Sequence, residues 1–273
     1  NVEITDNHFH LDPFGKKELA VKEFLRAGGT RLVLVHKPYA SWKKIEAFKE
    51  QVETTIKLSK RAREAGAKVA VVAAPHPVQF VKLLEHYDNT HASDIYLEAV
   101  DFCINLVEEK VTVGLGELGR PHFDVDSSIW ESANSLLSES LSRAKEVEAA
   151  VVLHTESGTP EVMSDLSKIA DGVKFPKSRL VKHYGGPGAI EEPHDITVSL
   201  ISTSTNIAQG SKINANFMLE TDYLDDPNRP GAVMGPKTVP RKSLSALEKG
   251  IISENQFFDI HSRLPDTVYQ KFS

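Results

Sequence analysis

Short apolar runs rich in β-branched residues alternate along the chain with longer stretches of helical periodicity. The runs are VEITDNHFH, RLVLVHKP, KVAVVAAPHP, VTVGLGELG, AAVVLHTES, RLVKHYGG, DITVSLIST and NFMLETDY, eight in all. Most are nearly continuous in apolar residues, which suits parallel strands covered on both faces rather than a sheet with one wet side. Between them, Ile129, Ala133, Leu136, Leu137, Leu141 and Ala144 fall on one helical stripe, with Ser127 or Ser128 placed to cap its start. Trp42, Ile45, Phe48, Val52 and Ile56 form another stripe. Gly66 follows it, where a left-handed residue ends a helix at no steric cost. Strands alternating with helices are βαβ units, and eight of them close into an α/β (β/α)8 TIM barrel. The helices between the sixth and eighth strands read as short or irregular, which keeps an open doubly wound sheet as the alternative. No Pro-, Gly- or Ser-rich linker divides the chain, so residues 1–273 are expected to form a single domain.

Composition narrows the partners more than the fold. With 40% hydrophobic and 26% charged residues, the 273-residue chain can bury a sizeable core. It contains no run of about 18 apolar residues, so no membrane span is expected. No charged segment followed by an apolar stretch opens it, and no signal peptide is read. The single cysteine, Cys103, lies in an apolar helical context and reads as an inert core thiol. One cysteine excludes an internal disulfide and fits a reducing cytoplasm, so a cytoplasmic location is expected. A net charge of −6 argues against a broad electrostatic grip on nucleic acid, while leaving room for a local basic or metal-lined cleft.

The candidate chemistry sits at the strand ends. Residues i and i+2 of a strand share a face, so His8 and His10 point together, a half-site for a divalent transition metal. Catalytic residues of a barrel lie at the C-terminal ends of its strands. Reading those ends in order gives His8 and His10, His36, His76, Glu117, His154, His183 and Asp222, which includes six of the eleven histidines. Three to five imidazoles and two carboxylates converging on one mouth are the ligand inventory of a two-metal hydrolytic centre. A carboxylate has two oxygens and spans two cations, which suits Glu117 to a bridging position. Lys182 is the competing bridge in carboxylated form, but strand alternation puts it on the face opposite His183. His86, His91, His194 and His261 follow no pattern and read as surface or loop residues.

The segments NHFHLD, GLGELG, VVLHTES, VKHYGG and LETDY resemble, in order and spacing, those of the TatD-like metal-dependent hydrolases, a branch of the amidohydrolase superfamily. The resemblance spans nearly the whole chain. It implies that His8, His10 and Asp222 hold one metal, that His154 and His183 hold a second, and that Glu117 bridges them. It also implies two divalent ions as cofactors, with Zn, Mn, Fe, Co, Ni and Mg all compatible with His/carboxylate ligands. His76, in APHP, resembles the family's Gly-x-His-Pro stretch and reads as structural.

Departures bear on substrate. Where the family's nucleases follow the glutamate with Gly-Leu-Asp-Tyr, this chain has Gly119, Arg120, Pro121 and His122. The His-Cys-Phe-Ser-Gly segment is replaced by HYGGPGAIEEP, and the loop after Asp222 lacks the family's Gly-Lys-Arg-Asn-x-Pro stretch. Arg120, His122, Arg229, Lys237 and Arg241 are candidate anion contacts, and His36 a candidate substrate contact. The expected activity is metal-dependent hydrolysis, first of phosphodiesters in DNA or small molecules. A small-molecule amidohydrolase or lactonase is the alternative. A metal-dependent decarboxylase is disfavoured by Glu117, and a non-catalytic metal-binding protein by the full ligand set. No P-loop, Rossmann fingerprint or His-Glu-x-x-His motif is present.

Overall fold

Alternating apolar positions on each strand part to the two sides of one sheet. In the computed structural model, which describes residues 2–270 and Phe272, the chain opens with β1 (Thr5–His10), α1 (Glu18–Arg26), β2 (Arg31–Val35), α2 (Ile45–Glu64) and β3 (Lys68–Val72). Two helices, α3 (Pro77–Leu84) and α4 (Asn89–Glu108), precede β4 (Gly114–Gly119). Then come α5 (Ser127–Glu146), β5 (Ala150–His154), α6 (Pro160–Gly172), β6 (Leu180–Lys182), α7 (Gly186–Glu191), β7 (Thr197–Ile201) and α8 (Ser204–Lys212). The last strand is split into β8 (Phe217–Glu220) and β9 (Tyr223–Leu224), and α9 (Thr238–Glu248), α10 (Glu254–Phe258) and α11 (Leu264–Tyr269) complete the chain.

All neighbouring strands are parallel, in the order β8-β7-β6-β5-β4-β3-β2-β1-β9. Because β9 follows β8 in the chain yet pairs with β1 (Phe9 with Tyr223, His10 with Leu224), the sheet closes on itself. The fold is a TIM barrel, and the open doubly wound alternative is excluded. Val33, Val35, Ala70, Val72, Ala150, Val152, Val181 and Met218 form one buried cluster, joined by Leu264, Val268 and Tyr269 from α11. Their neighbours on the same strands pack in different clusters: Leu32, Leu34, Val69 and Val71 in one, Val151, Leu153, Leu180 and Leu219 in another. That is the inside and outside of a barrel wall. Each Val, Leu or Met among them contributes roughly 1.5–3 kcal/mol on full burial.

Local details depart from the sequence reading in three places. The expected cap of α5 at Ser127 or Ser128 is corrected: Asp126 is the N-cap, and both serines lie inside the helix. The eighth strand is not continuous, since Asp222 takes φ +50° and turns the chain between β8 and β9. His261, expected at the surface, is fully buried in a π-helical segment, where its Nδ1 accepts from the Thr5 amide at 3.2 Å. Gly66 does follow α2 with φ +109°, and α7 and α8 are short, at six and nine residues. Cys103 is buried in α4, where desolvation raises its thiol pKa.

Candidate metal centre

Two strand irregularities aim side chains at the mouth. Between Asp6 and Phe9 the pairing of β1 with β2 shifts by one residue, and between Gly116 and Leu118 that of β4 with β5 does the same. A bulge re-aims a side chain, and the residues in the two shifts include His8 and Glu117. The corner that carries Asp222 is held from β1. The fully buried Asp6 accepts from the Thr221 amide at 3.0 Å, from the Thr221 hydroxyl at 2.6 Å and from the His8 amide at 3.3 Å. Burial raises the Asp6 carboxyl to about 7, against the pull of its Thr221 bonds.

Of the eight residues read from the strand ends, the six expected as metal ligands come together, with Glu117 among the imidazoles. Its Oε1 lies 2.8 Å from His154 Nδ1, 3.2 Å from His183 Nε2 and 3.7 Å from His8 Nε2. Its Oε2 lies 3.9 Å from His10 Nε2. Asp222 Oδ1 is 3.5 Å from His10 Nε2 and 3.8 Å from His8 Nε2, and those two nitrogens are 3.1 Å apart. His8 and His183 stack, with ring centroids 3.9 Å apart. Glu117 and the imidazoles of His8, His10 and His183 are buried, while His154 and Asp222 are partly open to solvent.

Charge in this cluster is unevenly shared. Burial opposes ionisation of Glu117, but the His154 and His183 imidazoles hold its carboxyl well below the usual range. Burial and the neighbouring His183 push His8 well below 6.5. His183 is raised to about 10 despite its burial, through Glu220 and Glu117, and His10 is raised despite burial by Asp222 and Glu117.

Buried imidazoles clustered on a carboxylate form a donor set that fits divalent cations. Ligand atoms of His8, His10 and Glu117 lie within 4.8 Å of one another, as do those of His76, Glu117 and His154. His76 is the unexpected member. It is the N-cap of α3, with Nδ1 accepting from the Val78 amide at 3.2 Å. Burial lowers its pKa to about 3, so the ring is neutral at pH 7 and its proton sits on Nε2. His76 therefore caps a helix, which fits the structural role read from the sequence, and its ring centroid lies 4.5 Å from that of His154.

A cavity of about 280 Å³ adjoins the centre, lined by His122, His154, Thr155, Glu156, Ser157, Lys182, His183, Tyr184 and Asp222. His122 belongs to it, with Nδ1 2.9 Å from His154 Nε2. The other two candidate substrate contacts are placed elsewhere. Arg120 is buried, and its guanidinium is committed to Glu156, to Asp165 at 2.5 Å and to Asn134 at 2.8 Å, with Trp130 beneath it at 4.5 Å. It braces the loops after β4 and β5 and has no free edge for an anion. His36 is packed against Tyr39 and Phe48 with Nδ1 2.8 Å from Thr55 Oγ1, and burial lowers it to about 3. Lys182 stays off the metal-ligand cluster, its Nζ donating to the His183 carbonyl at 2.7 Å, and burial lowers it to about 8. Arg229, Lys237 and Arg241 lie on or after the long loop that follows β9. Lys237 is 3.7 Å from Glu23, and Arg229 and Arg241 are exposed. That loop is tied to the one after β1 by Asp225, which accepts from the Lys16 and Lys17 amides at 2.8 Å each and from Tyr223 at 2.9 Å.

Sequence reasoning passed over Glu220. It is fully buried, and its Oε1 accepts from His183 Nδ1 at 3.0 Å and from the Tyr184 amide at 2.9 Å. Period two along LETD puts it on the face of Asp222, a signal that was available.

A barrel with imidazoles and carboxylates gathered at the C-terminal ends of its strands defines a class of hydrolases built for divalent metals. The chain matches the TatD-related DNase family over residues 5–270 and belongs to it. An uncharacterised protein of Methanocaldococcus jannaschii is 31% identical over 271 residues, covering 97% of this chain and 95% of its own. The TatD homologue YjjV of Escherichia coli superposes with a TM-score of 0.69 at 20% identity, over 99% of each chain. A phosphotriesterase homology protein of Escherichia coli, solved with phosphate in its active site, gives 0.65 at 11% identity, over 98% of this chain and 99% of its own. Among the described residues no helix is long and apolar enough to cross a membrane.

Proposed function

We propose that this TatD-family hydrolase is a phosphodiesterase acting on DNA through a binuclear divalent-metal centre. His8, His10 and Asp222 hold one ion, His154 and His183 the other, and Glu117 serves both. The observation that carries this reading is the position of Glu117, whose Oε1 lies within 3.7 Å of imidazoles from both halves while Oε2 turns to His10 at 3.9 Å. Phosphate in the active site of the phosphotriesterase homology protein supports a phosphoryl substrate.

Divalent ions bound here supply Lewis acidity and bring a water's pKa from about 15.7 to roughly 7. Asp222, partly open to the cavity, accepts the proton of the attacking water on its carboxylate. The remaining hydroxide bonds to phosphorus, the bond from phosphorus to the leaving oxygen breaks, and Asp222 returns the proton to that oxygen. A second reading, hydrolysis of lactones or amides, draws on Glu156 in the cavity wall, on a net charge of −6 and on the commitment of Arg120 to its own carboxylates.

The test is a substrate panel on the metal-loaded protein, with short single-stranded DNA beside lactone, amide and phosphotriester substrates. DNA cleavage abolished by chelator and restored by metal is expected. Turnover of the carbon esters or amides with DNA untouched under every metal would move the protein to the second reading.

A further inference from the structure

Beneath the ligand cluster the barrel interior carries buried polar atoms with incomplete bonding. His8 Nδ1 and Glu220 Oε2 are both buried without a hydrogen-bond partner among the described residues. A buried polar atom left unpaired is costly, so a native fold rarely keeps one without a reason. The two belong to one cluster: His8, His183 and Glu220 each bring a ligand-type atom within 4.8 Å of the others. Stacking sets the geometry. The rings of His8 and His183 lie 19° from parallel, and both Nε2 atoms face Glu117 Oε1, at 3.7 Å and 3.2 Å. The Nδ1 atoms are left for other partners, and His183 Nδ1 has found Glu220 Oε1 at 3.0 Å.

We propose that Glu220 is a positioning residue shared by the two halves of the metal centre, one carboxylate oxygen holding the Nδ1–H of His183 and the other serving the Nδ1–H of His8 across a bridging water. Fixing the proton on Nδ1 leaves Nε2 as the lone-pair donor in both rings. Backing of this kind sets tautomer and orientation, and its loss typically costs 10–100-fold in metal affinity. Here one group backs a ligand from each half-site, so both ions depend on it. The inference rests on the binuclear reading.

The experiment titrates metal-free wild type, Glu220→Ala and Glu220→Gln with zinc against a competing chelator. The Nδ1–H signals of His8 and His183 are followed by 15N NMR in the zinc-loaded proteins. Glu220→Ala is expected to weaken both zinc ions by about 10–100-fold and to lose exchange protection at both Nδ1–H groups. An amide has one accepting end, so Glu220→Gln should spare one zinc and weaken the other. That half-and-half pattern separates positioning from general support of the barrel, and it can be read even if Glu220→Ala does not fold. Wild-type zinc uptake with Glu220→Gln indistinguishable from it at both sites overturns the proposal alone. Failure of wild type to take up zinc or any other divalent metal overturns it together with the binuclear reading.

Discussion

Replacing Glu117 by Gln keeps the shape of the hub and removes its charge, so the outcome can be worked from the contacts. In the carboxylate, Oε1 serves His154, His183 and His8 at 2.8, 3.2 and 3.7 Å, and Oε2 faces His10 at 3.9 Å. Both oxygens are acceptors and both are able to ligate. Gln offers one carbonyl oxygen and one amide nitrogen that only donates. One ion therefore keeps its oxygen ligand and the other loses it. A hydrogen bond to a charged group is worth about 1.5–3 kcal/mol, which sets a lower bound for losing a charged oxygen ligand. At about 1.4 kcal/mol per decade, the abandoned ion should bind roughly 10–100-fold more weakly. Zinc titration against a chromophoric chelator, with circular dichroism as the folding control, reads this directly. Wild type should show two tight ions and Glu117→Gln one. Two tight ions with unchanged affinity in folded Glu117→Gln would refute the bridging argument.

Three further outcomes follow from the same contacts. The double variant with His8→Ala and His10→Ala should lose metal measured by elemental analysis while the barrel persists by circular dichroism; unchanged metal would sink the assignment. Asp222→Asn should fold, keep most of its metal and lose at least about a hundredfold in kcat, the lower end of general acid–base assistance, whereas a mere turn-forming residue would leave turnover near normal. His261, buried and neutral with its pKa lowered to about 3 by desolvation, takes up a proton more readily in the unfolded chain. Stability should therefore fall as pH drops from about 6.5 toward 3, by about 2 kcal/mol at pH 5 from this group. His261→Asn should remove that part of the slope in urea unfolding at pH 7 and 5, and an unchanged slope would contradict the assignment.

What the sequence made legible follows the range of the physics involved. Period-two and helical patterns are local, and they located all eight strand regions and the six residues that meet at the mouth. Asp222 interrupts the last strand because its backbone turns to φ +50°, a conformation that Asp tolerates but that leaves no mark on hydropathy. His261 meets Thr5 across 256 positions, and no pattern near residue 261 reports that contact. Arg120 looked like a free anion contact because its partners Glu156 and Asp165 lie 36 and 45 residues away. Glu220 escapes for a different reason: it ends β8, but the run NFMLETDY reads as one unbroken strand whose end falls at Asp222. The α5 cap position falls on Asp126 rather than on Ser127 or Ser128, since Asp and Ser are both favoured there and hydropathy does not separate them.

The most direct test of the account is an anomalous-scattering map of crystals grown with zinc. It should show two peaks about 3.5–4 Å apart, the spacing usual for paired ions. One should lie against His8, His10 and Asp222, the other against His154 and His183, with Glu117 between them. A single peak, or peaks away from Glu117, would contradict the binuclear centre.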